Sequence, residues 1–307
     1  MGRSRKRSKE QLDGLLVLNK PEGPTSAGCL TMIKRGLHQG KIGHAGTLDP
    51  MATGVLLVLL GHGTKLAPYL TEGRKTYWGE LELGTVTDSY DRQGKIVEQK
   101  PFDHLPPEDV RKDVLSWMEL STQEVPPVSA AKHQGKPLYE LARTGQEVPV
   151  KVKDIEIFHA EVLEMDLPRV RFRTTVSAGT YVRSLVHSLG IRLGCGAMLT
   201  ALTREHCHPF GLDQAHDLET VLDESERFPE RVISLVDALP HWPKVVVTAD
   251  QAAQVQNGTW LPVTDTTLAG VPGDKAMIID SGNTPLALVE AKEKEGSVSW
   301  SILRGLW

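Results

Sequence analysis

Residues Val55 to Leu60 form the longest uninterrupted apolar run of this 307-residue chain, and Met51 and Ala52 extend it backwards with only Thr53 and Gly54 between. A stretch of that kind has to be buried, so whatever leads into it is anchored to the core. What leads in is Gly43-His44-Ala45-Gly46-Thr47-Leu48-Asp49-Pro50. Glycines 43 and 46 allow close backbone approach and unusual dihedrals, while Pro50 fixes its own φ and pushes Asp49 out of the helical region. A carboxylate on a constrained loop with a buried anchor is how a rigid scaffold presents a reactive group. The same residue would also serve as an Asx turn or a helix cap, because Asp is an ordinary turn former. The rest of the chain has to decide between the two.

Length and composition set the frame. The chain is long enough for about two domains, and 40% hydrophobic residues suffice for packed cores. Charge is nearly balanced, 35 basic against 39 acidic residues, so a polyanionic partner would have to use a local patch. One such patch is Arg3, Arg5, Lys6, Arg7 and Lys9, free of acids until Glu10 and without apolar periodicity, which reads as a mobile arm or a solubilising tail. Cys29, Cys195 and Cys207 are too few and too scattered for a disulfide framework, which fits a reducing compartment and makes the cytoplasm the expected location. The longest apolar run falls far short of the roughly 20 residues a membrane helix needs, and no secretion signal is visible.

Two apparent motifs carry little. His206-Cys207-His208 places adjacent side chains on opposite faces of a strand and lacks a second ligand pair at zinc spacing, so no metal is expected. Gly36-Leu37-His38-Gln39-Gly40-Lys41-Ile42 imitates a phosphate loop but is too short between its glycines and has no Ser or Thr after Lys41.

The periodicities mix strands and helices without strict alternation, which favours α+β over a doubly wound sheet. A short buried strand at Leu15 to Leu18 precedes a turn and a helix from Ser26 to Leu37, capped by Thr25 or Ser26. Lys75 to Leu83 and Val170 to Val176 alternate as half-buried strands, the latter with Val170, Phe172, Thr174 and Val176 on one face and Arg171, Arg173 and Thr175 on the other. Glu108 to Leu120 and Tyr181 to Leu193 are expected helices. From Val125 to Pro149 the chain becomes polar and basic, an insertion (about 125–153 in all) expected to be exposed. After Pro240-His241-Trp242-Pro243 the composition shifts again, and a helix from Thr248 followed by strands near Lys275 to Asp280, Leu286 to Glu290 and Val298 to Leu303 suggests a small β-rich module from about residue 244.

Three segments bear on Asp49. Lys75-Thr76-Tyr77 starts an alternating strand, where Tyr77 either fills the core or offers a flat face to a base. Ser177-Ala178-Gly179-Thr180-Tyr181-Val182-Arg183 enters a helix expected to be capped at Thr180, with Arg183 in its first turn. That is the unfavourable end of the helix dipole for a cation, so Arg183 calls for an anionic partner, either a structural acid or a catalytic one, and its fork is able to hold Asp49 bidentately. Leu193-Gly194-Cys195-Gly196-Ala197-Met198-Leu199 then leads through Leu202 and Thr203 to Arg204.

Together these segments closely resemble the TruB family of tRNA pseudouridine synthases over essentially the whole chain. Leu18-Asn19-Lys20-Pro21-Glu22-Gly23-Pro24-Thr25-Ser26 is similar to that family's first motif, and Gly43 to Leu56 to its second. Thr87-Asp88-Ser89-Tyr90-Asp91, Ser129 to Tyr139 and Gly179 to Arg183 follow in family order, and the tail resembles the family's PUA domain. The resemblance implies an arm at 1–12, an α+β catalytic domain at 13–243 built on a mixed, largely antiparallel sheet, and a PUA-like domain at 244–307. It implies isomerisation of uridine 55 in the tRNA T loop to pseudouridine, without a cofactor, by a monomer. Asp49 would be the catalytic carboxylate, His44 would help open the T loop, Tyr77 would stack on the base, and Tyr181 and Leu202 would line the pocket. Arg183, Lys20, Pro21 and Asp91 would support the site, and Lys132, Lys136 and Arg143 would contact RNA phosphates. Thr203 stands where many relatives have a second basic residue.

The chemistry is consistent with that inventory. Breaking a C–N glycosidic bond, turning the uracil and forming a C–C bond needs no redox partner, only an ionised carboxylate in a pocket that keeps the loose base from escaping. A non-catalytic RNA chaperone, and a glycosidase pairing Asp49 with Asp88 or Asp91, are the competing readings; the latter would release free uracil.

Overall fold

The computed structural model describes residues 11–129, 131–138, 140, 149–294 and 296–307. The basic run at 3–9 and Arg143 lie outside them. Nine strands form the large sheet: β1 (Gly14–Lys20), β2 (Ile42–Ala45), β3 (Thr53–Leu60), β4 (Lys75–Leu83), β5 (Ile157–Asp166), β6 (Arg169–Val176), β7 (Ala197–Cys207), β8 (Phe210–Gly211) and β9 (His216–Asp217). Their order is β5-β6-β4-β7-β3-β1-β9, with β2 added to β3 and β8 to β7. Pairing is antiparallel except where β7 meets β3 and β1 meets β9, so the sheet is mixed and largely antiparallel.

Strand patterning follows from what covers each face. Along β6, Val170, Phe172, Thr174 and Val176 are buried, while Arg171 and Arg173 reach across the other face to Glu80, Glu161, Glu164 and Glu205. That is the alternation of a sheet with one dry face. β3 does not alternate, because both its faces are dry. Leu56, Val58 and Leu60 join one cluster with Leu30 and Ile33 of α1 (Ser26–Gly36) and with Leu185, Val186 and Leu189. Val55, Leu57 and Leu59 join a second with Trp242, Met277, Ile279, Leu288 and Leu306. The C-terminal segment therefore supplies the cover that makes the opening apolar run necessary.

α1 is capped by Thr25, whose hydroxyl accepts from the Gly28 amide at 2.9 Å. Further helices among the described residues are α2 (Ala67–Thr71), α3 (Pro107–Leu115), α4 (Val182–Arg192), α5 (Leu218–Asp223) and α6 (Ala249–Gln256). α3 is shorter than its periodicity suggests, since the chain tightens into a 3₁₀ turn over Ser116–Glu119 and carries Trp117 into the core, edge-on to Phe172 at 5.0 Å. α4 starts one residue late: Tyr181, not Thr180, is its N-cap, and no side chain of its own caps it.

The C-terminal residues form a separate five-stranded sheet from β10 (Lys244–Val247), β11 (Leu261–Pro262), β12 (Lys275–Asp280), β13 (Pro285–Lys294) and β14 (Ser297–Gly305), ordered β10-β12-β13-β14-β11. Val245, Val247, Val255 and Trp300 give it a cluster of its own.

The insertion is tied at its base, where Thr122–Glu124 pairs antiparallel with Val152–Asp154. Its expected exposure needs correction. Gln134, Gly135, Glu140 and Val150 are exposed, but Pro126, Ser129 and Leu138 are buried, and the Val128 carbonyl is drawn in to Arg183 of α4.

Candidate active site

The loop from Gly46 to Ala52 is held by three side chains acting on its carbonyls. Lys20, fully buried at the end of β1, donates from Nζ to the carbonyls of Pro21 at 2.8 Å, Pro50 at 3.3 Å and Ala52 at 2.7 Å. Burial pushes its ammonium below the ordinary lysine range, against the pull of the nearby Asp49 and Glu22 carboxylates. The Ser26 hydroxyl donates to the Leu48 carbonyl at 3.0 Å and stands 2.9 Å from the Leu48 amide, which donates to it. Arg204 donates from Nε to Val55 at 2.7 Å and from Nη2 to Gly46 at 3.0 Å. Gly46 has φ +88°, a left-handed backbone that glycine adopts without strain. Pro21 contributes its carbonyl to the same knot.

Arg183 closes the site from the other side. Its Nε lies 2.9 Å from Asp49 Oδ2 and its Nη2 3.1 Å from Asp49 Oδ1, the bidentate fork expected from the first turn of α4. Two further bonds run to the carbonyls of Ser89 at 2.7 Å and Val128 at 3.0 Å, and Asp91 Oδ2 stands 3.6 Å from Nε. The arginine side chain is 5% exposed and Asp91 6%, whereas Asp49 retains 35%. Of the two carboxylates on this cation, only Asp49 has an open side. Asp91 is further occupied by the Ser89 hydroxyl at 2.7 Å and the Gln93 amide at 3.0 Å. Asp88 accepts from the Lys95 amide and closes a turn. No described contact joins it to Asp49 or Arg183.

Tyr77 lies on β4 directly opposite Arg204 of β7, and Leu202 opposite Gly79, both nearly buried. Burial pushes the Tyr77 phenol above its ordinary range, with the Arg204 guanidinium opposing it. Tyr181 caps α4, and its backbone is gripped by the Gln123 side chain: the Tyr181 amide donates to Oε1 at 2.5 Å, and Nε2 donates to the Tyr181 carbonyl at 3.2 Å. His44, half-buried on β2, is held below the ordinary imidazole range first by burial and then by Arg204, so it is neutral at pH 7. Its Nδ1 has no hydrogen-bond partner among the described residues. For Lys132 and Lys136 the described backbone forms a tight hairpin, Lys132–His133 against Lys136–Pro137.

Ser26, Ser89, Gln123 and Arg204 were not singled out as functional by sequence reasoning. Arg204 is 1% exposed, with no carboxylate in ion-pair range among the described residues, but β7 also carries Thr200, Thr203, Glu205 and His206, so its sequence does not mark the arginine as buried. Among the described residues there is no cluster of His, Cys, Asp and Glu suited to a metal, and no helix long and apolar enough to cross a membrane.

Known proteins resemble this arrangement in sequence and in fold. Residues 34–182 match the model of the TruB family pseudouridylate synthase N-terminal domain. The chain is 56% identical over 301 residues to the tRNA pseudouridine synthase B of Nitratidesulfovibrio vulgaris strain Miyazaki F, covering 97% of both chains. It is 45% identical over 249 residues to the Geobacter sulfurreducens protein of the same name, covering 80% of this chain and 82% of that one. Among solved structures, an H/ACA RNP bound to a substrate RNA containing 2′-deoxyuridine superposes with a TM-score of 0.71 at 25% identity, covering 96% of this chain and 85% of that one. A Cbf5-Nop10-Gar1 complex gives 0.71 at 26% identity, with the same coverage.

Proposed function

The chain belongs to the TruB family of pseudouridylate synthases, and from that premise we propose that it isomerises uridine 55 in the T loop of tRNA to pseudouridine, with Asp49 as the reacting carboxylate. The observation that carries this reading is the asymmetry at Arg183: two carboxylates share one buried cation, and the one with an open face is the residue the loop constrains. Held by two charge-assisted bonds from Arg183 and open on its other side, Asp49 can present its carboxylate to a base.

Each neighbour then has a task. Tyr77 and Leu202 wall the space for the detached uracil, and Tyr181 narrows it at the start of α4. The target base must first leave its stack, at a cost of a few kcal/mol. A neutral, half-buried His44 suits insertion into the loop that gives up the base, since entry among stacked bases does not then require desolvating a charge. Lys20 and Pro21 keep the Asp49 loop rigid through its carbonyls. We assign residues 13–243 to the catalytic domain and 244–307 to a PUA-like module that meets the RNA elsewhere, the protein acting as a monomer in the cytoplasm.

The test is incubation of purified protein with unmodified tRNA, followed by mapping of pseudouridine and assay of free uracil. Pseudouridine at position 55 with the base retained is the expected result; free uracil would favour the glycosidase reading, and binding without modification the chaperone.

Lys132, Lys136 and Arg143 should contact phosphates of the bound RNA. Replacing all three by alanine is expected to weaken tRNA binding and to reduce the slope of log Kd against log salt by about two to three. An unchanged slope, measured by filter binding across a salt series, would remove them from the interface.

A further inference from the structure

Arg183 is supported from the Thr87-to-Asp91 turn by two groups, the Ser89 carbonyl and the Asp91 carboxylate, and the residue between them is unusual. Tyr90 is a bulky side chain at φ +66°, a left-handed conformation that non-glycine residues adopt only when their surroundings impose it. Three contacts impose it. The Tyr90 amide donates to the Thr87 carbonyl at 3.2 Å, the Tyr90 carbonyl accepts from the Leu199 amide of β7 at 3.0 Å, and the ring lies flat on the imidazole of His187. The two rings are 3.6 Å apart between centroids and inclined by 7°. His187 follows Arg183 by one helical turn on α4, so both side chains leave the same face of the helix toward the same turn. Its Nδ1 is buried without a hydrogen-bond partner among the described residues. Ring stacking, rather than a hydrogen bond at that nitrogen, is what engages it.

We propose that the Tyr90–His187 stack is a positioning device for Arg183: it locks the strained turn onto α4 so that Ser89 and Asp91 meet the guanidinium, which in turn aims its fork at Asp49. Neither ring touches the reacting atoms. The inference rests on the reading of Asp49 and Arg183 given above, but the geometry it concerns can be measured without turnover. A core-filling role would require only that the space between the turn and α4 be occupied. A positioning role requires that loss of the flat contact loosen Arg183 in an otherwise folded protein.

The test uses Tyr90→Asn, which removes the ring while keeping a residue that tolerates the left-handed conformation. The Arg183 Nε–H, followed by NMR on arginine-labelled protein and assigned by its absence in Arg183→Lys, should exchange with solvent at least tenfold faster in Tyr90→Asn. His187→Ala should reproduce that change from the helix side, and Tyr90→Phe should reverse it. Single-turnover rates on unmodified tRNA should fall about tenfold in Tyr90→Asn with the Kd for tRNA within twofold. Combining Tyr90→Asn with Asp91→Asn should slow the reaction no more than Asp91→Asn alone, because both act through one support. Unchanged Arg183 exchange in a folded Tyr90→Asn or His187→Ala protein would overturn the proposal, as would fully multiplicative rate losses in the double variant. If the wild-type protein modified no tRNA, the functional reading would fail while the exchange measurement would still decide the role of the stack.

Discussion

Asp49→Asn is expected to abolish pseudouridine formation, with turnover down by more than about a thousandfold, equivalent to about 4 kcal/mol of transition-state stabilisation. The substitution is nearly isosteric and leaves the backbone bond from the Ala52 amide to the residue 49 carbonyl available, so the loop pinned by Lys20, Ser26 and Arg204 should survive. What disappears is the negative charge, and with it the capacity to act as nucleophile or base. The amide nitrogen would also face Arg183, donor against donor. Binding of tRNA relies on a much wider surface than one carboxylate, so Kd should stay within about tenfold. Quench-flow on unmodified tRNA with parallel filter binding separates the outcomes. Loss of both activity and affinity would make Asp49 a structural residue, and retained activity would move the chemistry to another group.

Arg183→Lys should lower turnover by about a hundredfold. The guanidinium makes two bonds to Asp49, one each to the Ser89 and Val128 carbonyls, and an ion pair to Asp91. A lysine ammonium cannot reproduce the planar fork. Because Asp49 is about a third exposed, solvent screens the contact, and the lower end of the range for charged hydrogen bonds applies, about 1.5 kcal/mol for each of the two lost. Their sum, about 3 kcal/mol, corresponds to roughly a hundredfold in rate. The melting temperature should fall by a few degrees as buried Asp91 and the two carbonyls lose donors, so the rate has to be measured well below the transition. Unchanged turnover in a folded Arg183→Lys protein would end the argument that the fork orients Asp49. The comparison with Asp49→Asn is informative in itself: the carboxylate should be indispensable, its partner merely important.

Much of this site can be read along the chain because the rules involved are local. The alternation from 170 to 176 gives the buried face of β6 residue by residue, and Thr25 before Ser26 gives the α1 cap. The constraint on Asp49 is also local, since Pro50 and Gly46 act on φ and ψ within a few positions. Even the need of Arg183 for an anion follows from its place in the first turn of a helix. Which anion it takes does not follow. Asp49 is 134 residues away, and Asp88 and Asp91 are chemically equivalent candidates. Family resemblance supplied the choice that composition and spacing left open.

Other features had no trace in any one segment. Gln123 belongs to a three-residue strand with nothing to mark it, yet its amide holds both backbone groups of Tyr181. The polar, proline-rich start of the insertion reads as surface, but the Val128 carbonyl is drawn inward by Arg183. The Tyr90 ring finds His187 only because the turn and α4 are brought face to face. By itself the amino-acid sequence determines where the chain turns, which strands have a dry face, and which carboxylate is held rigid, for these depend on dihedral limits and on periods of two and 3.6 residues. Only the tertiary structure decides that Arg183 serves Asp49 and Asp91 together, that Arg204 reaches Gly46, and that the C-terminal sheet covers the second face of β3. Those contacts join residues that no local rule relates, and burial selects among chemically similar partners by the space and the hydrogen bonds each one leaves unfilled.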